Sequence, residues 1–200
     1  MTRRRLPAEE ARTLILSHAR DLFIEKGYDR TTMDDVCAAT GMSKGNLYHH
    51  FKNKEILYKQ LIAEHVKRFT DSWLESPGPA LPPAEQLLAY AAHYGRDCEN
   101  PLLQSAEEFV RSLKPDSDTL QDMQSMLARS GDTLRGIVEK GLASGTFLGA
   151  GTEPLAFAIL SLLTGTSQLC LALPPMSGDE YADYHVRAVR LLLHGIEARR

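Results

Sequence analysis

Strand patterning is missing from this chain. Nowhere do apolar and polar residues alternate over the roughly four to eight positions that a half-buried strand needs, which excludes sheet architectures. Cysteine is scarce: Cys37, Cys98 and Cys170 are odd in number and far apart, so neither a disulfide framework nor a paired-cysteine metal knuckle is indicated, and a reducing cytoplasm is the expected location. The basic start "MTRRRLPAEEAR" is not followed by the apolar stretch of about 7 to 15 residues that a secretory signal requires, so export by that route is not expected. Charge is absent from Pro154 to Gly178, a span long enough to cross a bilayer. Ser161, Thr164, Gly165, Thr166, Ser167 and Gln168 interrupt it and Pro174 and Pro175 close it, so a helix buried in protein is expected there and no membrane contact.

What is present is globular. Apolar residues make up 43% and charged residues 24% of 200, enough for one large domain or a large and a small one. Residues 1–54 carry ten Lys/Arg against seven Asp/Glu, a balance of +3, while the remainder carries −6. A basic first quarter on an acidic chain points to a polyanionic partner at the N-terminal end.

Ala11, Leu14, Ile15, Ala19, Leu22 and Phe23 keep the rhythm of an amphipathic helix that stops at Gly27. Thr32 can cap a short second helix, with Asp35 capping back in near capping-box fashion and Asp34 and Asp35 both suiting the helix dipole. Thr40-Gly41 ends it, and Ser43 is placed to cap a third helix running to Phe51. Two short helices joined by a glycine turn make a helix-turn-helix, whose second helix can enter a DNA major groove. Cys37 falls where only a small side chain lets the two helices approach, and is read as packing. A longer helix starts at Asn53 and carries Leu57, Leu61, Ile62, His65, Phe69 and Trp73 on one side, until "SPGPALPP" at 76–83 ends it. Further helices are expected at about 84–97, 101–114, 117–144, 152–173 and 179–198. In the last, Val186, Val189, Leu193 and Ile196 form one seam; Ala158, Ser161 and Gly165 allow close approach on the helix before it. These seven residues are expected to build the dimer contact of a four-helix bundle.

The stretch "GMSKGNLYHHFKNKEILYKQL", residues 41–61, concentrates the chemistry. Adjacent His49 and His50 point about 100° apart on a helix, whereas two metal ligands on one face need a spacing of three or four, so no metal site is expected. Ser43 is engaged as a cap and the surface is convex and cationic, so no catalytic residues and no cofactor are expected. DNA fits better. Gly45 removes a side chain where backbone approaches the bases; Lys44 and Asn46 can reach base edges; Thr32, Tyr48, His49, Lys54 and the amides at the starts of helices two and four can hold phosphates. Ser43 completes that surface.

The run "GYDRTTMDDVCAATGMSKGNLYHHFKNKEILYKQL" resembles the DNA-binding signature of the TetR/AcrR family of bacterial transcriptional repressors, over about Ala11 to Leu61. The resemblance implies DNA contacts from Thr32, Lys44, Asn46, Tyr48, His49 and Lys54, turns at Gly27 and Gly41, and packing by Phe51. Cys37 departs from the more usual alanine. The resemblance further implies an all-α protein with a three-helix helix-turn-helix head, taken as residues 1–54, and a helical ligand-binding and dimerisation body, residues 55–200. The expected function is a ligand-responsive homodimeric repressor on a palindromic double-stranded operator, and not an enzyme. Trp73, Tyr90, His93, Tyr94, Phe109, Met123, Met126 and Gln168 are the candidate pocket for an apolar or aromatic small-molecule effector. The alternative is an all-helical module that grips another protein, which leaves the Ser-Lys-Gly-Asn and Tyr-His-His-Phe-Lys runs unexplained.

Overall fold

The computed structural model describes residues 7–149 and 151–195, the side chains of 103, 104, 107, 124 and 127–130 being left aside. Every regular element among the described residues is helical: α1 (Ala8–Arg30), α2 (Met33–Thr40), α3 (Lys44–His50), α4 (Lys54–Glu75), α5 (Pro83–Arg96), α6 (Ala106–Ser112), α7 (Asp118–Ser130), α8 (Asp132–Ala143), α9 (Thr152–Leu171) and α10 (Gly178–His194), with short 3-10 turns at Gly78–Ala80, Asp97–Glu99 and Pro101–Ser105. The helix expected over 117–144 is two, α7 and α8, divided at Gly131. The one expected over 101–114 begins instead as a 3-10 turn at Pro101, which lacks an amide hydrogen to donate.

Two compact units form. The first gathers the chain up to Val66 with Pro101–Met126; the second gathers Lys67–Asn100 with the chain from Leu127. The boundary expected at residues 54 and 55 therefore falls inside the first unit, since Leu57, Tyr58, Leu61 and Ile62 of α4 are buried in its core.

In the first unit the local signals act as the residue types dictate. α1 leaves helical geometry at Gly27, whose φ is +80°. Thr32 Oγ1 accepts the Asp35 amide at 3.1 Å while the Asp35 carboxylate accepts the Thr32 amide at 2.8 Å, a complete capping box. Gly41, with φ +63°, closes α2 in the left-handed region. Ser43 Oγ accepts the Asn46 amide at 3.3 Å to start α3, and Asn53 Oδ1 accepts the Ile56 amide at 2.8 Å to start α4. An aromatic nest fills the centre: Tyr58 meets Phe23 at 4.8 Å, Tyr28 at 5.0 Å and Phe109 at 4.6 Å between ring centroids. The Tyr58 hydroxyl lies 2.7 Å from Ser105 Oγ and 3.1 Å from the Leu102 carbonyl, and burial pushes its pKa up to about 12. Cys37 packs in this core, as expected.

In the second unit α5, α8, α9 and α10 close a ring in which α5 and α9 each pack on both α8 and α10. α5 and α10 touch at Gly95, where a Cβ would fall 2.7 Å from the Ala182 Cα, so no side chain fits. Beside that crossing His185 is wholly buried. Its Nδ1 lies 2.7 Å from the Tyr181 carbonyl and therefore carries the proton, leaving Nε2 as an acceptor 2.9 Å from Ser167 Oγ, whose single proton is shared with the Leu163 carbonyl at 3.2 Å. Ser167 in turn accepts the Cys98 thiol at 3.2 Å, and burial raises the Cys98 pKa, which makes it a packing thiol.

Burial also lowers the His185 pKa from its ordinary 6.5, so the unfolded chain takes up that proton first. Its contribution is intact above about pH 6.5 and is lost as pH falls from there through the lowered folded value, at up to about 1.4 kcal/mol per pH unit. Melting temperatures measured from neutral pH downwards should fall less steeply for His185→Gln than for the unaltered chain; equal slopes would contradict the assignment.

Candidate nucleic-acid interface

α3 is seven residues long, too short to be stable alone, so its neighbours decide which way it faces. Leu47 and Phe51, one turn apart, are buried in the head core and fix its underside. At about 100° per residue the opposite edge is then Gly45 and His49, with Asn46 on one flank and Tyr48 on the other, while Lys44, the first residue, lies towards the buried side at the helix end. Gly45, Tyr48 and His49 are exposed and Asn46 half-buried, and Lys44 is exposed because it sits at the first position of the helix. A Cβ at Gly45 would meet nothing within 4 Å, so the fold itself does not ask for glycine there. An open edge without a side chain, flanked by an amide and a phenol, suits close approach to a groove.

The remaining expected contact residues divide by what already holds them. Ser43 and Thr32 are exposed, but the Thr32 hydroxyl also donates to Asp35 at 2.6 Å, so it is wholly engaged in its cap. Lys54 is turned inward: Nζ donates to the Tyr28 carbonyl at 2.8 Å and the Asp29 carbonyl at 3.3 Å and stands 4.2 Å above the Tyr28 ring. Burial lowers its pKa against the pull of Asp29 and Glu108. It closes the end of α1, a structural duty that the sequence reading, which had it on phosphate, did not contain. Reasoning from sequence also missed Arg12, whose guanidinium lies 4.6 Å over the Phe51 ring, and the pairing of Lys44 with Asp34 at 2.8 Å. No spacing rule announces either, because both cross from one helix to another.

The eight candidate pocket residues are not brought together. Phe109 and Met123 are buried in the core of the first unit and Met126 packs against it. Trp73, Tyr90, His93 and Tyr94 cluster in the second unit around Phe69, whose ring is 4.4 Å from His93 and 6.2 Å from Tyr94; Phe69 had been read only as one side of a helix. His93 Nε2 donates to the Phe69 carbonyl at 2.9 Å, and burial raises the pKa of both tyrosines. Gln168 is exposed on α9, away from this core, because it shares the outward side of that helix with Ser161 and Gly165.

Of the expected dimer residues, Ala158, Ser161 and Gly165 are exposed on α9. Val189 is fully buried in its own unit, with Leu193 packed against that core, so this seam faces inward; Val186 is half-buried and Ile196 lies outside the described residues. The exposed apolar side chains are others: Phe157, Leu160 and Leu169 on α9 and Tyr184, Leu191 and Leu192 on α10.

A family model described as "Bacterial regulatory proteins, tetR family" matches residues 15–61, and one described as "QacR-like protein, C-terminal region" matches residues 65–198. The chain belongs to the TetR family of transcriptional regulators. The negative transcriptional regulator IcaR of Staphylococcus epidermidis is 39% identical over 62 residues, 31% of this chain and 34% of that protein. The regulator QacR of Staphylococcus aureus is 39% identical over 59 residues, 30% of this chain and 31% of its own. These likenesses span about a third of those relatives' length. The crystal structure of the TetR-family regulator PfmR from Thermus thermophilus is 30% identical, covers 92% of this chain and 99% of its own, and superposes with a TM-score of 0.69. The all-helical class and the head expected from the signature thus hold for this TetR-family regulator.

Two substitutions separate stability from DNA binding in this head. Gly45→Ala should stabilise it by about 0.5–1 kcal/mol, since alanine suits a helix better and nothing obstructs the methyl group, yet weaken DNA binding. Lys54→Ala should destabilise it by roughly 1–2 kcal/mol through two orphaned carbonyls. Thermal melts paired with duplex titrations check both; unchanged DNA affinity in Gly45→Ala would contradict close approach at that residue.

Proposed function

We propose that this TetR-family regulator is a homodimeric repressor that binds a palindromic operator through two copies of α3 and releases it when a small molecule occupies the helical body. The observation that carries this reading is the outward edge of α3, where Gly45, Tyr48 and His49 stand clear, with Lys44 exposed at its start, while Leu47 and Phe51 are consumed by the core. Residues 1–54 are assigned to DNA binding, with Lys44 and Asn46 for base edges and Ser43, Tyr48 and His49 for phosphates. Residues 55–200 are assigned to effector binding and dimerisation.

The dimer is supported by α9, a helix long and apolar enough to cross a membrane whose exposed Phe157, Leu160 and Leu169 need a cover. A second copy meets that need, with Tyr184, Leu191 and Leu192 of α10 adding apolar area. An apolar or aromatic effector is supported by the ring cluster of Phe69, Trp73, Tyr90, His93 and Tyr94. α4 (Lys54–Glu75) is the lever, beginning in the head and ending in the body. A ligand acts through it only by its difference in affinity between DNA-competent and released states, about 1.4 kcal/mol for each tenfold loss of operator affinity. A DNA-binding role fits the cytoplasmic location expected from the free cysteines.

Selection of genomic fragments with the purified protein, followed by titration of the enriched duplex over a salt series, tests the proposal. The expected result is a palindromic site bound by two subunits with a log–log salt slope near about −7, as about eight phosphate contacts would give. No enrichment, with salt-insensitive behaviour, would turn the N-terminal helices into a protein-gripping surface.

A further inference from the structure

Two consecutive aspartates open α2, and they do different work. Asp35 is consumed by the fold: it completes the capping box with Thr32 and accepts the Lys26 ammonium at 2.9 Å, and those bonds, the Thr32 hydroxyl first, hold its carboxyl far below the usual range. Asp34 takes no part in that cap. Its carboxylate reaches across the turn to Lys44, the first residue of α3, whose Nζ lies 2.8 Å away. The two side chains are 64% and 67% exposed, so water screens the pair and the fold gains little from it. α2 is already capped without it.

Its position gives the pair another consequence. Lys44 stands exposed at the start of α3, beside the surface assigned to DNA, so a duplex arriving there meets an ammonium that already has a counter-ion within the protein. If the pair stays closed, Lys44 releases no cation from the phosphates and adds nothing to general affinity. If it opens, a carboxylate is left facing a polyanion. A base pair held in register with Lys44, as guanine O6 and N7 are in an operator, adds a fixed contact that compensates for opening, beyond the phosphate attraction every duplex offers. A scrambled duplex lacks that contact at the right position in most registers.

We infer that Asp34 is an intramolecular counter-ion for Lys44 and thereby a specificity-determining residue, which weakens binding to non-operator DNA more than binding to the operator. The inference rests on the reading of α3 as the DNA-contacting helix. Asp34 acts through Lys44 and contacts no base itself.

The test is a double-mutant cycle in the full-length protein with Asp34→Asn, Lys44→Ala and both, read by fluorescence anisotropy on a labelled duplex of scrambled sequence and on the enriched operator over about 50 to 200 mM salt. Asp34→Asn should bind the scrambled duplex about two- to fivefold tighter at moderate salt. Its log–log salt slope should steepen by about 0.9 per subunit. The ratio of operator to scrambled affinity should fall, and in the Lys44→Ala background the slope change should vanish. Unchanged scrambled affinity and slope in Asp34→Asn would overturn the inference. So would the same tightening and steepening in both backgrounds, which would make Asp34 a plain repulsive charge. Failure of the underlying reading looks different: Lys44→Ala would leave operator and scrambled binding untouched. Loss of operator binding in Lys44→Ala beside a silent Asp34→Asn would sink the counter-ion alone.

Discussion

The burial of Leu47 and Phe51 under α3 is the contact on which the rest of the head depends. A helix of two turns makes too few internal hydrogen bonds to repay its nucleation, so it exists because tertiary contacts and caps hold it. Ser43 fixes where it starts, Gly41 fixes the angle at which the chain enters it, and the two buried side chains fix its rotation. With rotation fixed, the outward edge follows without further instruction. The aromatic nest of Phe23, Tyr28, Tyr58 and Phe109 then makes that underside rigid, and brings α6 into the same compact unit as α1 and α4.

Electrostatics in this head is arranged around duties that compete. Several cations of its basic stretch are already spoken for: Lys26 by Asp35, Lys44 by Asp34, Lys54 by backbone carbonyls, and Arg12 by the Phe51 ring. The net +3 over the first 54 residues already counts Asp34 and Asp35, but the pairings fix where its cations stand and so how few are free to move onto phosphates. A head whose cations are held in place by partners offers fewer mobile charges to general attraction, which all DNA shares.

Much of this was legible in the sequence, for a definite reason. Thr32, Ser43 and Asn53 each act on the amide three residues on, and Gly27 and Gly41 act on their own backbone, so short-range chemistry names them. Cys37 and Phe51 were legible because side-chain size is a local fact. Most misses involve a partner chosen by tertiary proximity. Lys54 reads as a cation available to phosphate until Tyr28 and Asp29 are seen beneath it. Val189 and Leu193 read as a seam, and period alone does not say whether that seam meets its own core or another molecule. Phe109, Met123, Tyr90 and Gln168 share a chemical character yet lie in two cores and on one surface, because character is not address. The stretch divides at Gly131 and not at Gly136 or Gly141, although Gly131 keeps right-handed helical angles, and nothing in the local residue types singles it out.

The central claim is that the outward edge of α3 chooses the sequence to which this TetR-family regulator binds. It is tested most directly by measuring affinities for operators carrying every single base-pair substitution, with the unaltered protein and with Asn46→Ala. The account predicts that the variant loses discrimination at one base pair in each half-site, by about 1–3 kcal/mol, and keeps its preferences elsewhere. A uniform weakening across all operators, with every preference retained, would contradict it.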